Sequence, residues 1–303
     1  MNSSNVLFLF MIIMSPIISL STSDWVVGWI GMEIGMFGLL PLLIMQSASK
    51  EAVMKYFLIQ SLSSAFIFVS GILFFNFSEQ SMTYFYIFLM SMSLKLGFFP
   101  GHFWVTSVVQ SLSWFSNMLL LGPLKIAPFG FLNLVVSSLP DVPFLFMIFG
   151  FLSAFMGSVL GFNQTCVRAV LGASSITHSG WMMISICFGY MWMYMLVYFF
   201  ILIMLFLSLM YQDNLMSGFS LLSLSGLPPF TMFLVKMKVL SYLVFSTEYL
   251  IFIILLISSV ISLFFYLKFF YSYILTTKLN LYSLFMFFLV LGNIVGVFSL
   301  FLL

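Results

Sequence analysis

Long apolar runs separated by short polar connections dominate the pattern of this 303-residue chain. Most runs hold about 20 residues, the length that an α-helix needs to cross a hydrocarbon core of about 30 Å. The runs do not alternate apolar and polar residues with period two, so helices are favoured over the strands of a membrane barrel. We predict eleven spans, over residues 4–22, 24–45, 53–76, 81–99, 114–139, 142–162, 167–188, 191–211, 222–246, 249–273 and 281–303.

The composition indicates that lipid, not water, surrounds most of the chain. Hydrophobic residues make up 63% of the sequence and charged residues only 5%, whereas soluble domains carry about 25% charged residues. The first apolar run lacks the basic segment and the small-residue cleavage site of a signal peptide, so we interpret it as a retained span. The sequence therefore predicts an all-α integral membrane protein, with residues 1–303 forming a single transmembrane domain.

Charged residues outside the span centres sort by side of the membrane. One side carries lysine and arginine with a few acids, and the other side carries acids alone. The positive-inside rule then predicts that the N-terminus lies on the basic side, in the matrix or cytoplasm. The basic side holds Lys50, Glu51, Lys55, Arg168, Asp213, Lys268 and Lys278, and the acidic side holds Asp24, Glu79, Asp141 and Glu248.

Five titratable residues fall near span centres instead. A charge at that depth costs about 2.5–3.5 kcal/mol, so such side chains are expected to face the bundle interior. Any one of them could belong to a static salt bridge, and a buried histidine is more often a hydrogen-bonded scaffold than a relay. One acid cannot neutralise three lysines, however, and this imbalance favours a water-bridged proton path. The five residues are Glu33, Lys95, Lys125, His178 and Lys236.

Two spans are expected to be discontinuous, because glycine and proline interrupt them beside a lysine. Lys95 precedes Gly97 and Pro100, and the segment LSGLPPF precedes Lys236. Half-helix ends beside charged side chains recur in transporters with paired repeats, so we predict an antiporter-like inverted-repeat architecture. His102 follows the first interruption and is either a gate of a wet cavity or an interfacial polar residue.

Six motifs of the chain resemble, in the same order, the chain 2 family of mitochondrial respiratory complex I, NADH:ubiquinone oxidoreductase. They cover most of residues 25–240. Two positions depart from the family pattern: Gly101 stands where phenylalanine is usual, and Val235 stands where proline usually precedes the lysine, which predicts a straighter second helix. The motifs are WIGMEIGMFGLLPLL, EAVMKYFLIQSLSS, LKLGFFPGHFW, LKIAPFGFL, GFNQTCVRAVLGASSITHSGWMM and LSGLPPFTMFLVK.

The resemblance implies a role for each of the buried ionisable residues. By motif, the proton-translocating residues of the family fall on Glu33, Lys95, Lys125 and Lys236. The two histidines of the family motifs, as possible relay or gate, fall on His178 and His102.

The resemblance also implies a setting and partners. It implies an antiporter-like membrane-arm subunit in the inner mitochondrial membrane, with its N-terminus in the matrix. Its partners would be other membrane-arm subunits, including neighbouring antiporter-like ones, and lipids, but no nucleic acid. The subunit would belong to an H⁺-translocating NADH:ubiquinone reductase without carrying a redox site, so FMN, iron–sulfur clusters and ubiquinone are expected on partner subunits. No metal site is expected on this chain.

Two other function classes stay open at the level of sequence. A stand-alone cation/proton antiporter would use the same buried charges and interrupted helices. A structural spacer of the membrane arm would use the charges only to hold its helices in register.

Overall fold

The computed structural model describes residues 3–46, 49–75, 82–138 and 142–276 of the chain. These residues form α-helices joined by short turns, with one 3₁₀ turn at Pro123–Lys125 and no strand among them, which confirms the all-α prediction. The helices are α1 (Ser3–Ser21), α2 (Trp25–Gln46), α3 (Lys50–Phe75), α4 (Met82–Leu96), α5 (Phe103–Ser111), α6 (Trp114–Leu121), α7 (Ile126–Ser138), α8 (Pro143–Phe162), α9 (Val167–Cys187), α10 (Met191–Met210), α11 (Asn214–Ser225), α12 (Thr231–Phe245) and α13 (Tyr249–Leu275).

Six segments of the described residues are long and apolar enough to cross a membrane, which makes the chain a multi-pass membrane protein. One of them, Trp114–Ser137, combines α6, the 3₁₀ turn and α7 into one span, as the sequence predicts. The predicted span 281–303 lies outside the described residues, so the total of eleven stays a prediction. The other five segments are Trp25–Gln46, Lys50–Phe75, Pro143–Phe162, Met191–Met210 and Tyr249–Leu275.

The ninth predicted span begins earlier than the sequence pattern suggests. The polar residues among 214–218 predict a connection between spans, yet residues 214–218 form the beginning of α11. Gly218 lies on Phe270 of α13, and the Asn214 amide donates to the Thr276 carbonyl oxygen at 3.4 Å. These contacts with α13 stabilise the first turn of α11, although the polar residues of that turn do not predict a helix.

The helices cluster into two compact units, Met1–Pro140 and Asp141–Leu303. In the first unit, glycines of α2 allow close packing on α1; a Cβ added at Gly31 would lie 2.8 Å from the Ser19 nitrogen. In the second unit, α8 approaches α9 in the same way, since a Cβ on Gly157 would lie 2.7 Å from the Thr177 nitrogen. The predicted single domain and inverted repeat stay predictions.

The first predicted interruption is confirmed between α4 and α5. The 15 residues of α4 span about 22 Å, too little to cross the hydrocarbon core alone. Gly97 ends the helix with a positive φ of 74°, a conformation that glycine adopts without a steric penalty. The Trp104 indole donates to the Leu94 carbonyl oxygen at 2.9 Å, and the Gln60 amide donates to that of Lys95 at 3.2 Å. Side chains thus satisfy carbonyl groups that the broken helix leaves free.

The second predicted interruption is confirmed between α11 and α12. Gly226, with φ of 79°, follows the last residue of α11, and α12 then runs unbroken from Thr231 to Phe245. The ammonium group of Lys236 donates to the Ser225 carbonyl oxygen at 2.9 Å. A charged side chain therefore satisfies this helix end, and the C-terminal end of a helix dipole favours its positive charge.

Gly101 packs directly on the backbone of α4. A Cβ added there would lie 2.7 Å from both the Cα and the nitrogen of Leu94. Backbone atoms cannot rotate aside as a flexible side chain can, so the first interruption has its observed shape only with glycine at this position.

We expect Gly101→Ala to destabilise the assembled protein by about 1–3 kcal/mol, the usual cost of overpacking. The thermal stability of the solubilised assembly and its yield on native gels measure the effect. Gly218→Ala is the matched control, because its added Cβ would meet only side-chain atoms, of Phe270 at 3.1 Å and of Tyr273 at 3.7 Å. Equal stability of the two variants would contradict the packing argument.

Candidate functional site

A buried ion pair joins α2 to the end of α4 in the first unit. The ammonium nitrogen of Lys95 lies 3.0 Å from Oε1 of Glu33, and their side chains are 8% and 10% exposed. Glycines on another face of α2 pack on α1, which leaves Glu33 directed to a different neighbour. Lys95 is the last residue but one of α4, where the helix dipole also favours a positive charge.

A small cavity of about 30 Å³ lies beside this pair. Lys95 and Lys125 both line it, together with the polar side chains of Ser15, Tyr56 and Gln60. A polar cavity needs about 10–15 Å³ to hold one water molecule, so this one has room for about two. The structure thus brings three predicted site residues together: Glu33 and Lys95 in contact, and Lys125 across a space that suits water.

Lys125 reaches the cavity because its span is interrupted near the centre. Gly122 ends α6, Pro123 starts the 3₁₀ turn, and Lys125 is the last residue of that turn. The span Trp114–Ser137 places Lys125 at mid-length, and the residue is only 5% exposed. A charge at this depth needs partners or water, and the cavity offers space for water.

Lys236 and His178 lie in the second unit. Lys236 is 6% exposed, and its ammonium group lies 5.6 Å from the centre of the Trp181 ring in addition to its bond with Ser225. His178 is 1% exposed, and its Nδ1 lies 3.0 Å from the hydroxyl oxygen of Tyr194.

His102 is fully buried, but it does not line the cavity that Lys95 and Lys125 share. Its ring lies beside those of Phe99 and Phe103. Neither ring nitrogen has a hydrogen-bond partner among the described residues.

Sequence reasoning missed several polar residues of these sites. Tyr56 and Gln60 line the cavity, although neither is charged, and Tyr194 is the partner of His178. An amide at the middle of the apolar run of α3 was the available signal for Gln60. Tyrosine gives no such signal, because it is enriched at membrane–water interfaces and 13 tyrosines occur in this chain.

Comparison with known proteins decides the family. The family model described as NADH:quinone oxidoreductase/Mrp antiporter, TM matches residues 22–262. The chain belongs to this family. Curated relatives include NADH-ubiquinone oxidoreductase chain 2 of Albinaria caerulea, 36% identical over 92% of this chain and 92% of the relative. The protein of that name from Lumbricus terrestris is 33% identical over 85% of this chain and 83% of its own length.

Two solved structures share the fold of this chain at low sequence identity. A chain of respiratory complex I from Thermus thermophilus aligns with a TM-score of 0.83 at 19% identity, over 98% of this chain and 78% of that chain. A chain of an archaeal membrane-bound sulfane sulfur reductase aligns with a TM-score of 0.84 at 14% identity, over 97% and 73%. These likenesses show an antiporter-like membrane fold, found in subunits of large membrane complexes.

We expect the Glu33–Lys95 pair to behave as one energetic unit. Glu33→Gln or Lys95→Met alone leaves a buried charge without its partner, which typically costs about 3–5 kcal/mol. The double variant removes both charges, so it should be more stable than the sum of the two single losses predicts. Thermal unfolding of the four assembled proteins measures this coupling, and purely additive losses would contradict it.

Proposed function

We propose that the chain is a proton-translocating membrane-arm subunit of NADH:ubiquinone oxidoreductase, corresponding to the chain 2 relatives. The shared cavity of Lys95 and Lys125, with Glu33 bonded to Lys95, is the observation that carries the proposal. It provides an acid, two bases and space for water within one unit. The names of the curated relatives supply the reaction to which this proton movement is coupled.

The Glu33–Lys95 pair acts as a switch in this mechanism. At 3.0 Å the carboxylate stabilises the ammonium form of Lys95. When the two groups separate, Lys95 is left charged in a medium of low dielectric constant, and release of its proton becomes favourable. Water in the cavity accepts the proton and delivers it to Lys125.

The energies of the switch match the work that it has to do. Moving one charge across the membrane costs about 2.3 kcal/mol for each 100 mV of potential. Leaving one charge of a buried ion pair without its partner costs about 3–5 kcal/mol, so the signal that opens the contact stores energy of this order in the charged Lys95. A change at this one contact is therefore large enough to move one proton against a membrane potential of ordinary size.

The remaining predicted residues extend the same function. Lys236 is assigned to the proton route by its motif, and its position at the interruption between α11 and α12 suits a group that responds to helix movement. His178 acts as a relay through its contact with Tyr194, and His102 acts as a gate at the first interruption.

The proposal also assigns a setting. The subunit lies in the inner mitochondrial membrane with its N-terminus in the matrix, and it contacts neighbouring antiporter-like subunits and lipids. NADH oxidation and ubiquinone reduction take place on partner subunits that hold FMN and the iron–sulfur clusters. This chain receives their conformational or electrostatic signal and converts it into proton movement.

We expect Lys125→Met, Lys236→Met, Glu33→Gln or Lys95→Met to lower the number of protons translocated per NADH oxidised by the assembled complex. Lys238→Met is the matched control, because Lys238 lies two residues from Lys236 on α12 and so projects from another face. Proton uptake and NADH oxidation are measured together in sealed vesicles. Unchanged pumping in fully assembled variants of Lys125 and Lys236 would reject the route and favour the structural spacer.

A stand-alone cation/proton antiporter is the second candidate, because the family description also names the Mrp antiporter. A gently solubilised particle distinguishes the two. We expect a large particle that contains flavin and oxidises NADH. A purified single chain that exchanges cations for protons in liposomes would favour the antiporter instead.

A further inference from the structure

A cluster of polar side chains lies where α6 begins, away from the Lys95–Lys125 cavity. The Gln46 side-chain oxygen accepts hydrogen bonds from the hydroxyl groups of Ser113, at 3.2 Å, and Ser116, at 3.0 Å. Gln46 is the last residue of α2, which is long and apolar enough to cross a membrane, so we expect the cluster at the membrane surface where α2 ends. Gln46 and Ser113 are half-buried and Ser116 is fully buried, so the cluster leads inward from that surface.

Asn117 lies next to this cluster and holds an unsatisfied acceptor. Its Nδ2 donates to the Val109 carbonyl oxygen at 2.9 Å, which fixes the orientation of the amide because a carbonyl can only accept. Its Oδ1 is buried and has no hydrogen-bond partner among the described residues, and the whole residue is 0% exposed. A buried polar atom of this kind commonly binds an ordered water molecule.

Helix geometry connects Asn117 with the cavity. Residues three or four apart share a face of a helix, so Ser113, Asn117 and Leu121 lie on one face of α6 and its N-terminal cap. Leu121 lines the cavity, as do Leu120 and Leu124. One turn of about 5.4 Å therefore separates Asn117 from the first lining residues.

We propose that Asn117 binds water through Oδ1 and links the Gln46–Ser113–Ser116 cluster to the cavity, forming its access route for water and protons. The proposal rests on the proposed function, in which Lys125 exchanges a proton with cavity water. Asn117 is a positioning residue: its amide holds the water and does not itself gain or lose a proton. The route opens at the surface where α2 ends, the side predicted to be the matrix.

Access past Asn117 to the cavity can be measured without reference to pumping. In vesicles of the assembled complex, Leu121→Cys, which places a thiol at the cavity wall and keeps Asn117, is treated with Ag⁺, a thiol-reactive cation that follows water paths. The protein is then denatured, and the fraction of this thiol still open to alkylation is determined on its peptide by mass spectrometry. Leu119→Cys is the matched control, because Leu119 is also buried on α6 but projects from the opposite side.

We expect Ag⁺ to protect Cys introduced at 121 at least tenfold more than Cys introduced at 119, and we expect Asn117→Leu to remove this difference. Equal, slow protection at both positions, or protection at 121 that Asn117→Leu leaves unchanged, would overturn the route even if Lys125→Met lowers proton pumping. Strong protection at 121 that Asn117→Leu removes, together with normal pumping by Lys125→Met, would support the route and reject the proposed function. Failure of the route and failure of the proposed function therefore give different results.

A second variant tests the role of the amide. Asn117→Leu keeps the volume but cannot hold water, so the protons translocated per NADH oxidised should fall to the level of Lys125→Met, and the double variant should show no further loss. Asn133→Leu, the same exchange on α7 in the same unit, should pump normally. Normal pumping by assembled Asn117→Leu would overturn the proposal.

Discussion

A carbonyl group at mid-depth in hydrocarbon has no bulk water to bond, and both helix interruptions of this protein are arranged around that constraint. Each interruption leaves the last carbonyl groups of a helix without helical donors. Side chains from other segments donate hydrogen bonds to these carbonyl oxygens. Trp104 and Gln60 bond the end of α4, and Lys236 bonds the end of α11. The helix ends are therefore stable only while these neighbours stay in place, which makes them natural points of conformational response.

The same constraint explains where the buried charges lie. A lysine at a helix end meets the negative end of the helix dipole and, for Lys95, a carboxylate from α2. Lys125 lies in a 3₁₀ turn and not at the end of a long helix, and this turn brings it to a cavity with room for water. The ammonium groups of the three buried lysines thus lie where the backbone is irregular and other polar groups are close, although Lys236 itself belongs to the regular helix α12.

Packing on glycine determines which helices can meet at this site. The face of α2 that carries Gly31 is buried against α1, so Glu33 faces elsewhere and reaches α4. Gly101 does the same for the first interruption, because it lets the connecting segment lie on the backbone of α4. The close packing of the connecting segment on α4 therefore requires glycine at position 101.

Much of this arrangement follows from residue pattern alone. Span-length apolar runs without period-two alternation favour helices, since a helix satisfies its own backbone hydrogen bonds in lipid. Glycine and proline beside Lys95 and Lys236 identified both interruptions, and the scarcity of charge isolated Glu33 and Lys125. Residue pattern could not show that residues 214–218 are helical, because α13 supplies the contacts that stabilise them. Nor could it reveal Tyr56, Gln60 and Asn117, since helix packing, and not position along the chain, sets the distances between side chains on different helices.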